Sequence, residues 1–244
     1  MNSPQTPKIV LASGSRRRNE LLALCGIEFT TIPSDVDEDE ISKRERDPRR
    51  LAKLLAQAKA EAVAQRLESG LVIGADTLVA IDNHILGKPE TKPAAAEMLR
   101  LLRGRTNTVY TGIAVASREI AETVVGVSET RVRMREYSEE EIAEYVNSGA
   151  PMDKSGSYGI QDRPFAPVAS VDGCYCNVIG LPMAELRVVL SKVHPKVPSA
   201  ILEKLPLSCE LCFYREAVDC TDRSSIFDIC LCDLCRRHGS LRKV

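Results

Sequence analysis

A mixed α/β sheet domain followed by a small cysteine-rich tail is the architecture this 244-residue sequence predicts. Three observations carry that reading. Helical and strand-like segments alternate along residues 7–193. Two antiparallel hairpins interrupt the alternation, which argues against an all-parallel doubly wound sheet. Six of the nine cysteines fall between Cys209 and Cys235, so the tail has a chemistry the body lacks. The predicted division is therefore a body at 7–193, a linker at 194–205 carrying Pro195 and Pro198, and a tail at 206–244.

The first element is the apolar run Ile9-Val10-Leu11-Ala12. It stops at Ser13-Gly14-Ser15 and turns directly into Arg16-Arg17-Arg18-Asn19-Glu20, which reads as strand, tight turn and helix. Three arginines at a helix start oppose the macrodipole, by roughly 0.3–1 kcal/mol per charge, unless an anion sits there. The alternative is a solvated patch, or one paired with the acids of residues 35–40.

Leu51, Leu54, Leu55, Ala58, Ala62 and Val63 recur at helical spacing after Asp47, and Gly70 marks the end. Lys59 lies beside that stripe, where it either snorkels to the edge or reaches into a cleft. The runs Leu71-Val72-Ile73-Gly74-Ala75 and Leu78-Val79-Ala80-Ile81 flank Asp76-Thr77. A carboxylate there is costly to bury without a partner, so it marks either a backbone-bonded bend or a functional group in a cleft. Asp82-Asn83 supplies a hairpin turn, and Gly87-Lys88-Pro89 a rigid loop presenting one cation.

A helix over 93–103 follows, then strands over 108–116 and 123–134. Ser138 and Glu141 form a capping box for a helix closing at Gly149. The glycine- and hydroxyl-rich loop 153–161 can bring amides and Lys154 to a phosphate chain. A last strand is expected around 174–178, and a final helix over 182–193.

A net charge of −1 gives no footprint for bulk nucleic-acid binding. No segment approaches the ~20 apolar residues of a membrane span, and the first eight residues lack the apolar core of a signal peptide, so a cytoplasmic protein is expected. No Walker loop is present. The outlying residues are the cations Arg17, Arg18, Lys59, Lys88 and Lys154, the acids Asp76 and 35–40, and the neutral hydrogen-bonders Thr77 and Gln161. Converging cations suit a polyphosphate, carboxylates suit Mg²⁺ or Mn²⁺, and an amide can read a base edge.

The motifs Ser13-Gly14-Ser15-Arg16-Arg17-Arg18, Gly74-Ala75-Asp76-Thr77, Gly87-Lys88-Pro89, Asp153-Lys154-Ser155-Gly156-Ser157-Tyr158-Gly159-Ile160-Gln161 and Asn177-Val178-Ile179-Gly180-Leu181-Pro182 occur in one order. In this the chain resembles the Maf family over about residues 7–193. The resemblance implies a curved mixed sheet with flanking helices and two lobes around a cleft, similar to inosine triphosphate pyrophosphatases. It implies a nucleoside triphosphate pyrophosphatase that releases a monophosphate and pyrophosphate with a divalent cation. Asp76 matches the general base, while Ser13, Arg18, Lys59, Lys88 and Glu38 match positions around the substrate. Arg17, Thr77 and Gln161 match the branch that acts on dTTP, UTP and modified pyrimidine triphosphates, a house-cleaning role. Arg16 stands where proline is usual, Asp162 where glycine is usual, and Ala150 where an acid is often found.

In the tail, Cys209-x2-Cys212 and Cys232-x2-Cys235 have the two-knuckle spacing of a tetrahedral Zn²⁺ site, a small zinc-ribbon-like module. Cys220, Cys230 or His238 could replace a ligand, and disulfides are the alternative. A second functional reading is a nucleotide-sensing regulatory or cell-division-linked protein whose zinc tail docks an unknown partner. A homodimer is compatible with either.

Overall fold

The computed structural model describes residues 7–207, apart from 83, 121 and 194–196. Among these residues the chain forms a seven-stranded mixed sheet with helices on both faces. The elements in chain order are β1 (Ile9–Ala12), α1 (Arg16–Leu24), β2 (Thr30–Thr31), α2 (Glu38–Arg44), α3 (Pro48–Ala64), β3 (Leu71–Ile81), β4 (His84–Leu86) and α4 (Lys92–Leu102). The second half runs β5 (Thr106–Ala116), β6 (Val124–Met134), α5 (Glu139–Asn147), β7 (Val168–Asp172), α6 (Tyr175–Ile179), α7 (Met183–Ser191) and α8 (Ser199–Glu203). The strand order is β2-β1-β3-β5-β6-β7, with β4 paired to β3. Parallel pairs join β1 to β2 and β3, and every other pair is antiparallel, so the mixed sheet expected from the inserted hairpins is present.

Alternation along β3 decides what each face meets. Val72 packs with Val10, Ala12 and Ala114 against Ala56, Ala60 and Val63 of α3. Ile73 and Ala75 point the other way, into a cluster with Leu22 of α1 and Leu186 and Val189 of α7. Farther along that second face, Val79, Ile81 and Val109 join a separate cluster with Leu99 of α4 and Ile142 of α5. Asp76 therefore faces α3, and Thr77 emerges on the opposite face where those two clusters meet. Helix α3 lies very close to the sheet at Gly74 and Gly112: a Cβ there would run into the carbonyls of Ala56 and Ala52, respectively.

Several expectations need correction. Residues 71–81 form one uninterrupted strand, because Asp76 is accommodated in it by an ion pair and no bend is required. Residues around 174–178 are helix α6 and not a strand, and the edge strand of that region is β7, just upstream. The acidic stretch forms α2, capped by Asp37, with acids in its first turn and Lys43 and Arg44 in its last, matched to the helix dipole. The segment expected as a linker carries α8, and its Val197, Ile201 and Leu205 are buried in the core. Cys209, Cys212, Cys220, Cys230, Cys232, Cys235 and His238 all lie outside the described residues.

Candidate active site

The site begins at a gap in the sheet. On one side β3 pairs with β1 through Gly74 and with β4 from Val79 onward, which leaves residues 75–78 without a ladder partner on that side. The gap opens at the C-terminal end of β1, the position where open α/β sheets bind ligands. A cavity of about 950 Å³ lies over it, a volume suited to a nucleotide-sized ligand. Its lining includes the buried Ser13 and Asp76 together with Thr77, Arg17, Lys88 and Gln161. The nine body residues to which the resemblance gives a site role all line this one cavity: Ser13, Arg17, Arg18, Glu38, Lys59, Asp76, Thr77, Lys88 and Gln161; Lys154 lines it too.

Lys59 belongs to the buried stripe of α3, between Leu55 and Val63. The close packing at Gly74 and Gly112 carries its ammonium to Asp76 Oδ1 at 2.5 Å. The same ammonium lies 2.8 Å from Glu38 Oε1, at the start of α2. Of the two alternatives for Lys59, the cleft is thus the one observed, and its side chain is 9 % exposed, as is that of Asp76. Burial pushes the Asp76 carboxyl above the usual aspartate range, against the opposing pull of Lys59 and Arg18. Its Oδ2 has no protein donor among the described residues.

Arg18 is fixed by acceptors on three elements. Its Nε donates to the Gly180 carbonyl at 2.8 Å, and its two terminal nitrogens donate to Ser13 Oγ at 3.3 Å and Thr77 Oγ1 at 3.1 Å. A guanidinium has five N–H donors, so two remain for an anion in the cavity. Burial lowers the Arg18 pKa, while the charges of Asp76 and Glu38 oppose that shift. Thr77 lies 3.0 Å from Thr111 Oγ1, which itself donates to the Asn177 carbonyl at 2.9 Å. With the Thr111 proton so used, Thr77 donates to Thr111 and accepts from Arg18. Its hydroxyl then offers the cavity only a lone pair.

The arginines at the start of α1 divide by direction. Arg16 is a surface residue, its side chain 91 % exposed and paired with Glu20 one turn on. Arg17 reaches across the cavity mouth to Asp153 at 3.3 Å. In Asp153, burial raises the carboxyl pKa, but the Lys154 hydrogen bond and the Arg17 and Lys154 charges outweigh it and hold it below the usual range. Lys88 is exposed at the rim and has no ion-pair partner among the described residues. Lys154 is committed within its own loop, donating to the Ala150 carbonyl at 2.5 Å and to Asp153 at 2.8 Å, with Asp162 at 3.3 Å. It is therefore not a free phosphate ligand. The Gln161 amide makes no hydrogen bond among the described residues.

Sequence reasoning missed Thr111, Ser155 and the Gly180 carbonyl. Ser155 Oγ donates to the Thr77 carbonyl at 3.1 Å, closing part of the sheet gap. Gly180 and Ser155 stand inside motifs quoted above; Thr111 sits in a plain strand pattern and gave no signal.

Asp76 and Glu38 lie on either side of one ammonium, and these two carboxylates would be the residues to hold a hard divalent cation, with water and substrate oxygens as its other ligands. Two carboxylates are a sufficient protein contribution for Mg²⁺ bound with a phosphate. Among the described residues no group of three or more Cys, His, Asp or Glu forms a metal cluster, and no helix is long and apolar enough to cross a membrane.

Fold and site together define an α/β protein with a cation-lined cleft around one buried carboxylate. The chain belongs to the Maf-like protein family, whose sequence profile matches residues 8–193. It is 46 % identical over 184 residues to a dTTP/UTP pyrophosphatase of Moorella thermoacetica, covering 75 % of this chain and 94 % of the relative. Proteins of the same name from Dictyoglomus thermophilum and Bacillus cereus are 40 % and 46 % identical over 186 and 179 residues. These cover 76 % and 73 % of this chain, and 96 % and 92 % of the relatives.

Proposed function

We propose that this chain is a nucleoside triphosphate pyrophosphatase that hydrolyses dTTP and UTP, and modified pyrimidine triphosphates of the same edge chemistry. The observation that carries the proposal is the Asp76 carboxylate, buried between Lys59 and Arg18 with one oxygen free toward the cavity. Family membership and the names of the relatives support the substrate class.

In the proposed reaction a water donates a hydrogen bond to Asp76 Oδ2 and attacks the α-phosphorus. The water proton passes to Asp76, the bond from the α-phosphorus to the bridging oxygen breaks, and pyrophosphate leaves with the nucleoside monophosphate as the second product. Burial raises the Asp76 carboxyl pKa and so makes it a stronger base than an exposed aspartate, while the charges of Lys59 and Arg18 favour its ionised form. Arg18 and Lys88 take phosphate oxygens, and Ser13 orients Arg18. A divalent cation held by Asp76 and Glu38 would neutralise charge on the phosphate oxygens. Specificity falls to Arg17, Thr77 and Gln161. Thr77 acts by fixing Arg18, and the Gln161 amide, with a donor and an acceptor, faces the base edge.

The two-lobed form around the cleft and a Zn²⁺ site at Cys209, Cys212, Cys232 and Cys235 complete the proposal. Pyrophosphate release from a panel of nucleoside triphosphates with Mg²⁺ or Mn²⁺ tests the activity, and zinc content measured on the same sample tests the tail. Preferred turnover of dTTP and UTP is expected. Tight binding without turnover would replace the enzyme with a nucleotide sensor.

A further inference from the structure

The turn that carries Gln161 is fastened at two points by one tyrosine hydroxyl. Tyr145, on α5, accepts the Gly159 N–H at 3.1 Å and donates to Asp162 Oδ2. The Asp162 amide in turn donates to the Gly159 carbonyl at 3.1 Å, so residues 159–162 are closed by backbone and side chain together. The Asp162 carboxyl folds back over Gly159, where an added Cβ would meet it at 2.7 Å. The Tyr145 ring is itself held by stacking on Phe165, with centroids 4.2 Å apart and planes 13° from parallel. Burial and the Asp162 bond raise the Tyr145 hydroxyl pKa well above its usual value, which keeps it a proton donor across the working pH range. The same Asp162 oxygen lies 3.3 Å from the Lys154 ammonium.

We propose that Asp162 is a specificity-positioning residue: with Tyr145 it locks the 159–162 turn so that Gln161 reaches toward the base from one fixed backbone position, and it keeps Lys154 within its own loop. The inference rests on the reading of Gln161 as the group that faces the base. Asp162 and Tyr145 do not themselves touch the base. A fixed amide discriminates because uracil and thymine present an O4 acceptor where cytosine presents an N4 donor. A locked turn fixes how far the Gln161 side chain reaches toward the base edge, so the base that needs a different reach is disfavoured, whereas a loosened turn lets the amide adjust to either.

The test compares kcat and KM for UTP and CTP in Asp162→Gly, Asp162→Asn, Tyr145→Phe and Gln161→Ala enzymes, with Tm measured for each. In Asp162→Gly and Tyr145→Phe the UTP-over-CTP ratio of kcat/KM is expected to fall about tenfold, the scale of one hydrogen bond. The change should lie in KM, with kcat for UTP within about twofold. Asp162→Asn, which keeps an oxygen for Tyr145, should retain most of the ratio. Adding Gln161→Ala to Asp162→Gly should cause no further loss, since both act on one contact. A merely structural role would lower Tm and raise both KM values alike with the ratio unchanged, and that result overturns the proposal. If Gln161→Ala alone leaves the ratio unchanged, the base-facing reading fails and the positioning role with it. If Gln161→Ala lowers the ratio while Asp162→Gly and Tyr145→Phe do not, only the positioning role fails.

Discussion

Asp76→Asn separates the chemistry of the site from its stability. Breaking a buried ion pair by removing one partner commonly costs about 3–5 kcal/mol, because the other charge is left unpaired. Two features of this pair reduce that cost. Lys59 keeps Glu38 at 2.8 Å, and the asparagine oxygen can still accept from the ammonium. The net loss is expected to stay within about 1 kcal/mol, a Tm change of about 2–4 °C for a domain of this size. Turnover should nevertheless fall by about 10²–10⁴-fold, the usual contribution of a positioned general base. The assay is pyrophosphate release from dTTP at saturating substrate, with thermal unfolding of the same preparation. A variant that hydrolyses at the wild-type rate would refute the assignment of Asp76, and one whose Tm collapses would refute the account of the pair.

Three further outcomes follow from the same geometry. Thr111→Val strips the partner from the Thr77 proton and leaves the Asn177 carbonyl without its hydroxyl donor, so it should destabilise by about 1–3 kcal/mol in denaturant titration and raise the KM for nucleotide; Thr111→Ser should restore both. Asp153→Asn should lower Tm at neutral pH by removing the Lys154 and Arg17 pairs. Because the folded pKa of Asp153 is depressed, that difference should persist as pH falls and close only below the ordinary aspartate value of 3.8; a difference already closed at pH 5 would contradict the pairing. Gly112→Ala places a methyl against the Ala52 carbonyl, and the overpacking should cost about 1–3 kcal/mol and lower activity by pushing Lys59 away from Asp76.

The sequence made the positions of the site legible better than their connections. Asp76 stood out because a carboxylate inside an apolar run is costly, and the cost is met by Lys59 from a helix 17 residues earlier. Neither local spacing nor composition could tell that Lys59 would reach inward; the close approach of α3 at Gly74 and Gly112 decides it. The run at 174–178 has the apolar character of a strand, yet it is helical, and Asn177 within it donates its amide N–H groups to Val109 and Thr130 of the neighbouring strands, contacts that local spacing does not reveal. Helix α2 escaped notice because its residues are mostly exposed and carry no apolar stripe. Arg16, which looked like part of one anion site with Arg17 and Arg18, is a surface residue, since a helix turns successive side chains about 100° apart.

The gap beside residues 75–78 also bears on association. An open strand edge is an invitation to another chain to add a strand. Here the unpaired stretch is four residues long and is bounded by β1 at one end and β4 at the other, with Ser155 bonded to the Thr77 carbonyl between them. A strand from a second molecule would need to enter between two that already occupy the same side. The fold thereby offers bare backbone to a small ligand while withholding it from polypeptide.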